Sequence, residues 1–93
     1  MLLFSIEFTQ SAEKQFEKLE PQIQARIVAV VERLRFRPVE HLVKLVDEDA
    51  YKCRAGDYRI ICTVDYEKQV IYVLKVGHRR NVYVSENALD AHY

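Results

Sequence analysis

Apolar and polar positions alternate at the start of the chain. Leu2, Phe4, Ile6 and Phe8 stand against Leu3, Ser5 and Glu7, the period of a strand with one apolar face. Thr9 then suits a helix N-cap, and Ala12, Phe16 and Leu19 recur at helical spacing. Pro21 fits the first position of a second helix, where its missing N–H would be unpaired anyway. Ile23, Ile27, Val30, Val31 and Leu34 form that helix's apolar stripe, and Pro38 stops it. With almost nothing between them, the two helices are expected to form an antiparallel pair.

From Leu42 onward the pattern changes to strands. Tyr51–Ala55, Tyr58–Val64 and Val70–Val76 are rich in β-branched and aromatic residues, with turns at Gly56-Asp57 and Asp65–Gln69. Ser85 opens a short tail helix that includes Ala88 and Leu89. The order predicts one α+β domain over residues 1–93: an N-terminal strand, an antiparallel helix pair, a three-stranded antiparallel meander and a short C-terminal helix.

Pairing Ala55 with Tyr58 across the first turn sets Arg54 opposite Arg59 and Lys52 opposite Ile61. Pairing Val64 with Val70 across the second sets Lys75 opposite Arg59. One face then carries Tyr51, Cys53, Tyr58, Ile60, Cys62, Val64, Val70, Tyr72 and Leu74, which the helices must cover. The other carries Lys52, Arg54, Arg59 and Lys75, with Ile61, Thr63, Ile71 and Val73 beside them. Four cations therefore converge at one end of the open face.

The chain has 93 residues, 49% of them apolar and 30% charged, with two Gly and two Pro, as in an ordinary globular domain. No apolar run is long enough to span a membrane and no cleavable leader is visible, so a soluble, cytoplasmic protein is expected. Cys53 and Cys62 are too few for a disulfide scaffold or a four-ligand zinc site, and read as free thiols packed in the sheet. His41, His78 and His92 lack ligand spacing with each other or with the cysteines, so neither a metal nor another cofactor is expected.

Fourteen basic and fourteen acidic side chains cancel, but unevenly. Between residues 52 and 80, seven basic residues face only Asp57, Asp65 and Glu67. Like charges directly opposite in a sheet are destabilising, so the Arg54, Arg59 and Lys75 set breaks a local rule. Such breaks mark functional sites, and the fitting ligand for clustered Arg and Lys is a polyanion, above all phosphate. The competing reading is a solvated strand face whose cations pair with Asp47, Glu48 or Asp49. Beyond the last strand, the run Gly77-His78-Arg79-Arg80-Asn81-Val82-Tyr83 sets Arg79 and Tyr83 four residues apart. Arg grips phosphate and Tyr stacks on a base, which suits single-stranded RNA better than a duplex groove.

The stretch AYKCRAGDYRIICTVDYEKQVIYVLKVGHRRNVY resembles the RelE/ParE toxin superfamily, whose members run Y-x-x-R-x-G-x-Y-R into a strand pair and then V-G-H-R-x-x-x-Y. The element order agrees, so the resemblance spans nearly the whole chain. It implies a RelE-like toxin of a type II toxin–antitoxin system that cleaves mRNA in the ribosomal A site without a metal ion. The implied reaction is attack of a ribose 2′-OH on its own 3′ phosphodiester, leaving a 2′,3′-cyclic phosphate and a 5′-OH.

The resemblance places the catalytic set on Lys52, Arg54, Arg59, Arg79 and Tyr83. Lys52 would be the general base, Arg59 with Arg54 would stabilise the phosphorane, Arg79 would act at the leaving 5′ oxygen, and Tyr83 would stack on the nucleotide. Lys44, Lys75, His78 and Arg80 are the expected RNA contacts, and His78 competes with Lys52 for proton transfer. Implied partners are the ribosome, mRNA, a cognate antitoxin that drapes over the toxin, and operator DNA bound through that antitoxin. The alternative within the superfamily is a ParE-like inhibitor of DNA gyrase, which binds without cutting. A third reading is a degenerate member that only forms the repressing antitoxin complex. The chain departs from RelE in carrying Arg54 where RelE prefers lysine, in the acidic run Asp47-Glu48-Asp49, and in its neutral total charge.

Overall fold

The computed structural model describes residues 3–46 and 48–80. The expected tail helix and Tyr83 lie outside them. Strand β1 (Ser5–Phe8) leads into helices α1 (Gln10–Glu17) and α2 (Pro21–Leu34). A one-turn helix α3 (Pro38–His41) and a two-residue strand β2 (Val43–Lys44) follow, then β3 (Tyr51–Ala55), β4 (Tyr58–Asp65) and β5 (Val70–His78). The five strands lie in the order β1-β5-β4-β3-β2. β1 pairs with β5 in parallel and the other neighbours are antiparallel. The α+β class and the meander stand as the sequence predicts; α3 and β2 are additions. Pro38 does not itself stop α2, which ends at Leu34; it opens α3 at the position where its lacking N–H does no harm.

The Thr9 hydroxyl caps α1 by accepting from the Ala12 N–H at 3.1 Å. It also donates to the Leu74 carbonyl at 3.4 Å, tying the start of the helix to the sheet. α1 packs on β5 and β1, whereas α2 packs on β3 and α3. Between helices and sheet lies the main core, with Ile27, Leu34, Ile60, Cys62, Ile71 and Val73 fully buried. At the end of α2, the Phe4 N–H donates to the Arg35 carbonyl at 2.9 Å, and Arg35 Nε donates to the Phe4 carbonyl at 3.0 Å. Those two bonds fix where β1 enters the sheet.

The β3–β4 hairpin has the expected register, with Ala55 opposite Tyr58, Arg54 opposite Arg59 and Lys52 opposite Ile61. Its tight turn needs Gly56, whose φ of +65° lies in the left-handed region. The β4–β5 register departs from expectation. Asp65 stays in β4 and pairs with Val70, so that Val64 meets Ile71. The cause is the turn chemistry. Asp65 Oδ1 accepts the Lys68 N–H at 2.9 Å, and Gln69 takes a left-handed φ of 57°, which moves the loop one residue along the chain.

A slip of one residue exchanges the faces of a strand. Ile71 and Val73 therefore belong to the helix-covered core, in place of Val70, Tyr72 and Leu74. A bulge follows: Cys62 pairs with Val73 but Ile61 with Lys75, leaving Leu74 as the extra residue. Leu74 turns to the far face, where it packs on a second small cluster of Leu45, Ala50 and Ile61. The face expected to be open is thus partly covered by the chain between β2 and β3. Lys75 lies opposite Ile61, not Arg59, and is 6% exposed; Gly77 is the residue opposite Arg59.

Candidate functional site

Strand β2 pairs only with Tyr51 and Lys52, so β3 continues past it as a sheet edge from Cys53 to Ala55. At that edge lies a cavity of about 460 Å³. Its sheet wall is Lys52, Cys53 and Arg54 of β3 with Arg59 of β4. Its opposite wall is built from Val30 and Arg33 of α2, Glu40 and His41 of α3, and Val43 of β2. Three of the five residues expected to be catalytic therefore share one concavity.

The hairpin turn holds Arg59 in place. Its Nη1 donates to the Gly56 carbonyl at 3.0 Å and to the Tyr58 carbonyl at 3.1 Å, which orients the guanidinium before any ligand arrives. Gly77 faces it across the strand and carries no side chain to fill the adjacent space. Arg54, its cross-strand partner, is exposed, and Lys52 is half-buried. A pair of arginines held side by side offers bidentate donors to phosphate oxygens. Arg33 adds a fourth cation, while Glu40, the only carboxylate among the lining residues, is bound by Arg37 at 3.0 Å. Four of the nine lining residues are thus cationic and one is a carboxylate.

The other expected residues are placed as follows. The Arg79 N–H donates to the Asp57 carbonyl at 2.8 Å, so Arg79 sits beside the same turn that holds Arg59, with its side chain exposed. His78 is opposite Tyr58 and meets its ring edge-on at a centroid distance of 5.5 Å. Tyr58 packs against the helix-covered core, so His78 lies on the face away from Arg54 and Arg59. Its Nδ1 accepts the N–H of the exposed Arg80 at 3.3 Å. Lys44 pairs with Tyr51 and shares its face, again opposite to Lys52. Lys75 is buried beside Ile61 and does not line the cavity.

Sequence reasoning missed Arg33, Glu40 and His41. They come to the β3 edge only through the packing of α2 on β3 and of α3 on α2. Periodicity marks Val30 as core-facing, and a residue three further on lies on a neighbouring line of the helix; that was the one available hint for Arg33. Cys53 is buried, and burial pushes its thiol up to about 11. Desolvation, with the neighbouring Cys53, pushes Cys62 up to about 12. Both are neutral thiols near pH 7, so Cys53 gives the cavity an apolar wall and not a nucleophile. Among the described residues, no group of three or more His, Cys, Asp and Glu side chains is placed to hold a metal ion, and no helix is long and apolar enough to cross a membrane.

The small α+β domain thus gathers arginines and a lysine at the end of an antiparallel hairpin, donors whose geometry suits phosphate oxygens. The sequence profile of the family described as ParE toxin of type II toxin–antitoxin system, parDE, matches residues 6–83. Toxin RelG of Mycobacterium tuberculosis is 30% identical over 83 residues, covering 86% of this chain and 95% of the relative. The chain belongs to the RelE/ParE superfamily of type II toxin–antitoxin toxins. Among solved structures, the RelBE2 toxin–antitoxin complex of M. tuberculosis contains a chain that superposes with a TM-score of 0.77 at 28% identity, covering 83% of this chain and 99% of that one. The intact RelBE complex of E. coli superposes with a TM-score of 0.70 at 26% identity, covering 81% and 95%.

Proposed function

We propose that this toxin cuts mRNA on the ribosome by attack of a ribose 2′-OH on the adjacent phosphodiester, and that a cognate antitoxin neutralises it. The observation that carries the reading is the convergence of Lys52, Arg54 and Arg59 on one cavity, with Arg59 already oriented by the turn. A phosphorane carries more negative charge than the diester it forms from. Donors aimed at its oxygens therefore bind the transition state better than the ground state. Arg59 and Arg54 hold the non-bridging oxygens, Lys52 adds charge beside them, and Arg79, beside the same turn, is assigned to the leaving 5′ oxygen. Tyr83, outside the described residues, keeps the stacking role that the resemblance implies. Products are a 2′,3′-cyclic phosphate and a 5′-OH.

The two similar structures named above are toxin–antitoxin complexes, which supports a cognate antitoxin as this chain's partner. Operator DNA bound through that antitoxin, and a cytoplasmic location, belong to the same proposal. The family description, ParE toxin, favours a second reading, a gyrase inhibitor that uses no nuclease site. One experiment separates them. Purified protein is added to ribosomes translating a defined mRNA, with EDTA, and cuts are mapped by primer extension. Discrete A-site cuts establish the nuclease reading. Intact mRNA together with loss of supercoiling in a gyrase assay establishes the other.

A further inference from the structure

We propose that His41 is the general base of the cut, taking the proton of the attacking 2′-OH. The inference rests on the nuclease reading above and adds a residue that the resemblance does not supply. A 2′-hydroxyl attacks efficiently only when something removes its proton as the new P–O bond forms. Apart from Lys52, to which the resemblance gives this role and which the test below sets against His41, the titratable lining residues are poor candidates with one exception. Arg33, Arg54 and Arg59 carry guanidiniums that do not deprotonate in proteins. Cys53 is a neutral thiol behind the wall, 6% exposed. Glu40 accepts from Arg37 at 3.0 Å, and a carboxylate, ordinarily protonated near pH ~4, is a weak base at neutrality.

Imidazole alone combines a lone pair at neutral pH with enough basicity to hold the proton. His78, the other histidine near the hairpin, lies on the far face with Nδ1 accepting from Arg80. His41 lies in the wall across from Lys52 and Arg59, at the end of α3, and its exposure leaves it reachable by substrate. Lys52 then contacts the phosphate and does not take the proton.

In the step itself, a His41 ring nitrogen takes the 2′-OH proton while the 2′ oxygen bonds to phosphorus. The P–O5′ bond breaks, the 5′ oxygen takes a proton from solvent, and the imidazolium returns its own to solvent. The charged groups that face His41 are Arg33 from α2, Glu40 from α3, Lys52 and Arg54 from β3, and Arg59 from β4. Of these groups and His41, only His41 belongs to the residue type that changes charge between about pH 5 and 8.

The test is single-turnover cleavage on programmed ribosomes between about pH 5.5 and 8.5 for the wild type, His41→Gln and His41→Ala. The wild-type rate should rise with pH across this range and then level off, as general-base catalysis by an imidazole requires. Both variants should be about 10²- to 10⁴-fold slower, with that rise abolished, and added imidazole should partly restore His41→Ala. A melting curve and binding of uncleavable mRNA, both unchanged, exclude a structural loss. A His41→Gln protein that cuts within about threefold of wild type, or keeps the wild-type pH rise, assigns the proton to another group, Lys52 foremost, and overturns the proposal. Wild-type protein that leaves mRNA intact overturns it together with the nuclease reading, and is recognised because no variant is needed to see it.

Discussion

Replacing Arg59 with alanine separates the work of folding from the work of the site. Two terms act on stability, and they oppose each other. Nη1 bonds to the carbonyls of Gly56 and Tyr58, one exposed and one half-buried, and each such bond contributes about 0.5–1.5 kcal/mol net when well shielded. Exposure puts these at the low end. Removing the cross-strand repulsion from Arg54 returns about 0.2–1 kcal/mol. The variant should therefore lose no more than about 1 kcal/mol, which for a domain of this size lowers the Tm by less than about 8 °C.

On the proposed nuclease reading, transition-state stabilisation should be affected far more. Deleting one oriented donor from a site of developing charge costs about 10²- to 10³-fold in rate. The assays are a urea or thermal melt followed by circular dichroism, and mapped mRNA cleavage on ribosomes at the same protein concentration. A protein that melts normally and cuts at more than about a third of the wild-type rate would refute Arg59's role at the phosphate. One that is unfolded at 25 °C would refute the solvent-facing placement of the residue.

Three further outcomes are expected. Ile60→Asp buries an unpaired carboxylate at a fully enclosed position of the main core, and should cost about 4 kcal/mol or more and prevent cooperative melting. Thr9→Ala removes the acceptor for the Ala12 N–H, and should lower stability by about 1 kcal/mol in urea titrations without changing the cleavage pattern. For Cys53 and Cys62, the folded thiols titrate near 11 and 12, above the ordinary value of 9.0. Unfolded thiols ionise first, so their stabilisation is complete below pH 9 and is lost as pH rises toward 11 and 12. Urea midpoints should fall across that window and fall less in Cys62→Ala, and a thiol reagent should label both cysteines only after unfolding.

Apart from α3 and β2, the elements among the described residues and their order were legible because local chemistry decides them. Period-two and helical spacing, the Thr9 cap, Pro21 at a helix start and Gly56 in a tight turn each act within a few residues. The pairing of Arg54 with Arg59 was legible for the same reason, since a two-residue turn leaves one register. The second turn was not, because Asp65 and Gln69 permit loops that differ by one residue and only the formed Asp65–Lys68 bond chooses between them. That choice sent Ile71 and Val73 to the core and took Lys75 away from Arg59. The bulge at Leu74 likewise follows from packing on Leu45, Ala50 and Ile61, which no spacing encodes.

For the site, the sequence by itself determined one wall. Lys52, Arg54 and Arg59 share a face through strand alternation and a short hairpin, both of which are local. The tertiary structure alone decided the other wall. Arg33, Glu40 and His41 are separated from β3 in the chain and meet it because the apolar stripe of α2 must be buried against the sheet. Burial of that stripe is non-directional and proportional to area, so the pattern states that a helix will dock. Which polar neighbours it carries to the edge of β3 is settled only when the side chains interlock.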